Sequence, residues 1–270
     1  MTSRGVSARR SCHLLGLSRS GFVYRAKQTR NTGLVERLKE LASEQPRLGC
    51  RLAWAQLRDE FSPLNLKRVR RLWRLERLHL RPKKSQKITG RKKPELEAKC
   101  VNHVWCMDFC HDRCMNTSKL KCLAVVDEFS RECVSLEVSN RIPSLYLVQA
   151  LERAFFKYGK PAIIRCDNGP EFISWNLRLF LKKQGVELVN IQPGSPWQNG
   201  FAESFIATFR SNCLDAEVFY NLADAQIKIQ AWKNFYNTQR PHSGIGYSIP
   251  QQYKEQFHQK MNIMKEQRVI

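Results

Sequence analysis

The amino-acid sequence predicts an α/β protein: a mixed sheet with helices on its faces, preceded by a small basic all-α region. Three observations predict it. Positive charge is concentrated in the first hundred residues, which hold 26 Lys and Arg against 8 Asp and Glu, whereas the remaining 170 hold 20 against 16. Apolar residues recur at helical spacing as far as residue 78, and from residue 101 they fall into short strand-like runs. Those runs then alternate with helical stretches in the order βββ-α-β-α-β-α.

Residues 7–27 read as two short helices about a turn near Gly16, the second started by Ser18, with Arg9, Arg10, Arg19 and Arg25 outward. This gives a helix-turn-helix-like basic arm over 1–32. Leu34, Leu38 and Leu41 mark a helix ended by Pro46, and Trp54, Leu57 and Phe61 mark another ended by Ser62-Pro63. A third helix over 65–78 puts Val69, Leu72, Leu75 and Leu78 on one stripe, and Arg68, Arg70, Arg71, Arg74 and Arg77 cover much of the rest. Five arginines on one helix are the candidate phosphate contacts of a three-helix DNA-binding region over 33–80. Residues 81–100 lack apolar periodicity and read as a basic linker whose Lys83, Lys84, Arg91, Lys92 and Lys93 lie along DNA.

From residue 101 the runs VWCMDFCHDRCM, KLKCLAVVDEF and ECVSLEVS read as a three-stranded meander. A helix opens at Pro143 and closes at Gly159-Lys160-Pro161; AIIRC is a buried strand ending at Asp167. A helix over about 172–184, the strand VELVNI, the loop QPGSPWQNG and a helix from about 201 complete the series, and 222–239 is a further amphipathic helix. That order is a ribonuclease-H-like mixed sheet, expected over 101–255, with a tail over 256–270.

The chain has 270 residues, 42% of them hydrophobic, enough for one sizeable core with appendages. A net charge of +22 calls for a polyanionic partner. Ribosomal and membrane-surface proteins share such charge, but a basic arm joined to a nearly balanced body favours nucleic acid. No run of about 18 apolar residues occurs and the first twenty residues lack the apolar stretch of a signal peptide, so a cytoplasmic protein without membrane contact is expected. The ten cysteines form no CxxC pair and read as reduced, buried thiols. A zinc site from Cys106, Cys110, Cys114, His103 and His111 is disfavoured, because on a strand Cys106 and Cys110 face one side and the two histidines the other.

The chemistry lies in three acids. Hard divalent cations prefer oxygen ligands, and a phosphodiester approaches carboxylates only when such cations stand between them. Asp108 falls within the first strand, Asp167 at the end of the fourth and Glu203 on the first turn of the helix after the glycine-containing loop. The predicted fold brings these elements to one sheet edge. Thirty-five residues separate Asp167 from Glu203.

With that interval, WCMDF, CDNGPEF and PWQNGFAESF, followed by YNTQRPHSGIGYSIP, resemble the DDE transposases of bacterial insertion sequences. The likeness is to the second-reading-frame product of the insertion-sequence-three family and, more distantly, to retroviral integrases. It spans roughly 34–255. The resemblance implies that Asp108, Asp167 and Glu203 bind two Mg²⁺ (or Mn²⁺) ions, and that Asn168 and Gly169 shape the turn beside the second acid. It implies DNA cleavage at element ends and strand transfer into a target, and a DNA contact by Arg210, which shares a helix face with Glu203 two turns earlier. It also implies a homo-oligomer, a first-frame subunit or fusion partner, and a nucleoid-associated protein. The sequence departs from the family after Glu203, where Ile206-Ala207 and Asn212-Cys213 stand. A catalytically inactive DNA-binding derivative and an RNA-hybrid nuclease are the alternatives.

Among neighbouring acids, Asp127 is expected to be structural, and Asp112 and Glu171 peripheral. His242 is read as either a DNA contact or a loop cap. Trp197 and Gln198 are read as either DNA contacts or parts of a flexible loop.

Overall fold

The computed structural model describes residues 7–24, 31–79, 96–192 and 194–267. Lys83, Lys84, Arg91, Lys92 and Lys93 of the basic linker lie outside them, as does Arg25. The chain gathers into two compact units, Met1–Glu40 and Leu41–Ile270.

In the first unit, α1 (Ala8–Leu14) and α2 (Arg19–Val23) are each started by a serine. The Ser18 hydroxyl accepts from the Gly21 amide at 3.0 Å, which satisfies one of the unpaired donors of the first turn. Gly16 joins the two helices at φ 63°, in the left-handed region. Arg9, Arg10 and Arg19 are exposed. The longer helix α3 (Thr32–Glu44) follows.

The second unit contains the short helices α4 (Cys50–Leu57) and α5 (Leu66–Leu75). Asn65 caps α5 by accepting from the Lys67 amide at 2.8 Å. Arg70, Arg71, Arg74 and Arg77 are exposed and Arg68 is half-buried. The apolar stripe differs from expectation: Val69, Leu72 and Trp73 are buried and Leu75 is 67% exposed. At 100° per residue Trp73 stays on the inward face, while Leu75 ends the helix just before the left-handed Arg77 (φ 56°).

Five strands form the sheet that carries the site: β1 (Val104–Arg113), β2 (Lys119–Asp127), β3 (Cys133–Ser139), β4 (Ile163–Cys166) and β5 (Glu187–Asn190). Their order is β3-β2-β1-β4-β5, with β1–β2 and β2–β3 antiparallel and β1–β4 and β4–β5 parallel. The helices are α6 (Ser144–Tyr158), α7 (Trp175–Gln184), α8 (Gly200–Phe209), α9 (Leu222–Thr238) and α10 (Pro250–Glu266). Helix α7 begins at 175 rather than 172, because the Ser174 hydroxyl caps it there and 170–173 form a turn.

Strand alternation divides the core in two. Trp105, Met107, Leu123 and Val125 join the α6–α7 cluster with Leu147, Leu151, Phe172 and Leu177. Cys106, Cys110, Cys122 and Ala124 join the α8–α9 cluster with Phe205, Phe209, Trp232 and Tyr236. Asp108 has the strand phase of Cys106 and Cys110, which is the α8 face. The Phe209 and Trp232 rings lie 4.9 Å apart, and Phe205 meets Tyr236 edge-on at 5.0 Å. These rings pin α8 to the sheet; full burial of each stabilises by about 1.5–3 kcal/mol.

Helix α10 starts at Pro250, whose missing amide costs nothing at a first helical position, and it runs through the 255/256 boundary expected from sequence. Phe257 packs on Phe129 at 4.9 Å. No helix among the described residues is long and apolar enough to cross a membrane.

Candidate active site

Asp108 sits where the sheet narrows. Its partner across the β1–β2 hairpin is Ala124, whereas β1 pairs with β4 only as far as Cys106↔Arg165. Beyond that point β1 continues as an overhanging hairpin edge, and Asp108 stands at the opening. The Phe109 amide donates to Asp108 Oδ1 at 2.7 Å.

Asp167 follows the last residue of β4, beside this opening. Its Oδ1 accepts from the Gly169 amide at 2.9 Å, so the Asp-Asn-Gly sequence forms a tight turn back onto the carboxylate. A Cβ at position 169 would lie 3.1 Å from that oxygen and 3.5 Å from the Phe172 ring, so a side chain there would press the carboxylate to shift. Asn190 Nδ2 donates to the Asp167 carbonyl at 2.8 Å, and Asn168 Nδ2 to the Ile191 carbonyl at 2.8 Å, fastening the turn to β5. Phe172 then stacks on Phe109 at 4.7 Å, tying the turn to the residue after Asp108.

Glu203 lies in the first turn of α8, exposed, with no hydrogen bond or ion pair among the described residues. The loop before it is held at several points. Gln198 Oε1 accepts from the Gln192 amide at 2.8 Å, Arg165 Nη1 donates to the Gln198 carbonyl at 3.2 Å, and buried Asn199 donates through Nδ2 to the Met107 carbonyl at 3.4 Å. Asn199 Oδ1 is buried without a partner among the described residues.

Asp108 senses the other two acids. Burial, and then the negative charges of Asp167 and Glu203, push the Asp108 carboxyl from about 3.8 up to about 6, although the Phe109 amide opposes the shift. Among the described residues no three His, Cys, Asp or Glu side chains converge as closely as a metal cage requires, and this holds for Cys106, Cys110, Cys114 and the two histidines as well.

Arg210 Nη2 donates to the His111 carbonyl at 2.9 Å, which brings it from the end of α8 to the overhanging part of β1. The helix widens there into a π turn over Arg210–Leu214. Other sequence candidates lie outside this arrangement. Asp127 is 1% exposed and accepts from the amides of Asn102 (2.7 Å), Phe129 (2.8 Å) and Ser130 (2.8 Å), a structural role at the β2–β3 turn. His242 Nδ1 accepts from the Gly244 amide at 3.1 Å, and burial, then the charges of Arg131 and Arg240, lower its pKa to about 4. It is a neutral loop cap at pH 7. Glu171 forms an ion pair with Lys121, Asp112 Oδ1 accepts from the Arg113 amide at 2.8 Å, and Trp197 is 40% exposed. Sequence reasoning passed over Arg165, Glu128 and Asn199. The available signal was Arg165 itself, a charge inside the apolar run AIIRC.

Residues 98–196 and 184–250 each match a family described as integrase core domain. The insertion element IS407 uncharacterized 31.7 kDa protein of Burkholderia multivorans is 40% identical over 250 residues, covering 92% of this chain and 90% of that protein. The chain belongs to the integrase-core family of insertion-element transposases. Within that family, the transposase InsD for insertion element IS2D of Escherichia coli is 29% identical over 249 residues, covering 86% of this chain and 81% of that one. The integrase-core fold is also evident in a simian T-cell lymphotropic virus intasome in complex with PP2A regulatory subunit B56 gamma. That chain aligns with a TM-score of 0.53 at 15% identity, over 80% of this chain and 74% of its own length.

Proposed function

We propose that this integrase-core transposase, a polynucleotidyl transferase, cuts and rejoins DNA with divalent cations held by Asp108, Asp167 and Glu203. The observation that carries the reading is where three acids stand: Asp108 in β1 just past its pairing with β4, Asp167 directly after β4, and Glu203 in the first turn of α8, which packs against β1. Oxygen-only donors suit Mg²⁺ or Mn²⁺. Two ions held by Asp108, Asp167 and Glu203 would supply activation of the attacking water or DNA 3′-hydroxyl and charge stabilisation at the leaving oxygen.

The chain's own residues do the rest. Asp108 must lose its proton to act as a metal ligand. Arg210, fixed at the β1 edge, is placed to hold a phosphate of the DNA end. Arg68, Arg70, Arg71, Arg74 and Arg77, with Lys83, Lys84, Arg91, Lys92 and Lys93 of the linker, supply sequence-independent grip on the duplex. Holding two element ends for joining to a target calls for a homo-oligomer, and a first-frame subunit would add end recognition.

The test is strand transfer on oligonucleotide element ends with Mg²⁺ or Mn²⁺. Asp167→Asn is expected to lose at least about 10³-fold in both cleavage and joining while binding the same duplex within about twofold. Joining by Asp167→Asn at the wild-type rate would refute the assignment. Tight end binding by the wild type without cleavage would favour a DNA-binding derivative instead.

A further inference from the structure

The segment between β5 and α8 leads into Glu203, and a buried arginine is one of the groups that hold it. Arg165 lies in β4, two residues before Asp167, where a charge is costly unless its donors are used. Its side chain is 4% exposed and that of its partner Glu128 is 0% exposed. Nη1 donates to Glu128 Oε1 at 2.9 Å and Oε2 at 3.2 Å, and also to the Gln198 carbonyl at 3.2 Å; Nη2 donates to the Leu96 carbonyl at 2.7 Å.

Glu128 alone would balance the charge, so the two carbonyls are the informative partners. Leu96 lies in the last part of the 81–100 linker, and Gln198 stands five residues before Glu203. A cavity of about 140 Å³, lined in part by Leu96, Arg165, Ile191, Gln192 and Gln198, lies beside these bonds. Close packing therefore does not fix the loop from this side, and the guanidinium bonds do.

We propose that Arg165 is a positioning residue for the metal site, coupling the end of the basic linker to the loop that sets Glu203. Glu203 reaches the two aspartates in working geometry only while the Leu96 and Gln198 carbonyls are both held. Only a planar fork spans both carbonyls and the carboxylate; a lysine at 165 keeps the charge and the pair with Glu128 but cannot reach all three. The proposal rests on the reading of Asp108, Asp167 and Glu203 as the metal site.

The experiment compares the full chain with Arg165→Lys and with the double variant Glu128→Leu/Arg165→Met, which removes the pair without leaving a lone buried charge. Mn²⁺ affinity is read by electron paramagnetic resonance titration, kcat and KM for an element-end duplex by strand transfer at saturating Mn²⁺, and folding by thermal melts. Expected are Mn²⁺ binding about 10–100-fold weaker, kcat reduced by a similar factor, and KM for DNA within about twofold. Wild-type Mn²⁺ affinity and kcat in either folded variant would overturn the proposal, as would losses that disappear at equal fraction folded. If Arg165→Lys does not fold, the double variant decides. A wild-type protein that binds no Mn²⁺ overturns the metal-site reading itself and this proposal with it.

Discussion

Replacing Asp108 by Asn should make the cation-free protein more stable while making it inert. The carboxyl is raised from about 3.8 to about 6, so its ionised form is disfavoured in the fold. At about 1.36 kcal/mol per tenfold change in proton affinity, that is an upper limit of about 3 kcal/mol. Because Asp108 is only half-buried and solvent screens its neighbours, we take about 1–2 kcal/mol. Asn retains an oxygen for the Phe109 amide and sheds the charge. The penalty is absent below the unfolded value near 3.8, grows as pH rises, and is complete above the folded value near 6. In EDTA at pH 8, Asp108→Asn should therefore melt about 2–8 °C above wild type, with the gain reduced by about half at pH 5. Cations reverse the order: at about 100 times its dissociation constant, Mn²⁺ should stabilise wild type by about 2.7 kcal/mol and leave the variant unmoved. Scanning calorimetry at the two pH values, with and without Mn²⁺, measures all four states. A variant less stable than wild type at pH 8, or a gain independent of pH, would refute the electrostatic argument.

Other substitutions probe the supports of the site. Gly169→Ala would press a methyl group against the Asp167 carboxylate at 3.1 Å, and should lower strand transfer while shifting the melt by no more than about 2 °C; unchanged transfer would show that this turn does not place the acid. Phe209→Ala, at a fully buried ring beneath α8, should cost about 3–5 kcal/mol in urea unfolding, and a loss under about 1 kcal/mol would mean that α8 is held elsewhere. Arg70→Gln and Arg74→Gln should weaken binding to unrelated duplexes alike, and each should reduce the slope of log K against log salt by about 0.9; an unchanged slope would remove α5 from the DNA interface.

The sheet was legible because strands advertise a period of two. Cys106 and Cys110 are buried on the α8 face and Trp105 and Met107 on the other, and that phase assigns Asp108 its side before any contact is known. The apolar run AIIRC put Asp167 at a strand end, and the loop QPGSPWQNG before a helical stretch put Glu203 on a first helical turn, where they stand. Details that depend on tertiary neighbours were not legible. Leu75 fits a helical stripe on paper, yet the helix ends there and Trp73 takes the inward place. Asn199 and Arg165 are single polar residues whose roles come from the carbonyls of Met107, Gln198 and Leu96, 33 to 92 positions away along the chain. His242 was balanced between two readings, and burial beside Arg131 and Arg240 decides for the neutral loop cap.

The most direct measurement is the anomalous scattering of Mn²⁺ in crystals of the chain bound to an element-end duplex. The account predicts a peak about 2.1 Å from carboxylate oxygens of Asp108, Asp167 and Glu203, with Glu203 turned toward the two aspartates. Manganese bound elsewhere, or Glu203 still directed into solvent at saturating Mn²⁺, would contradict it.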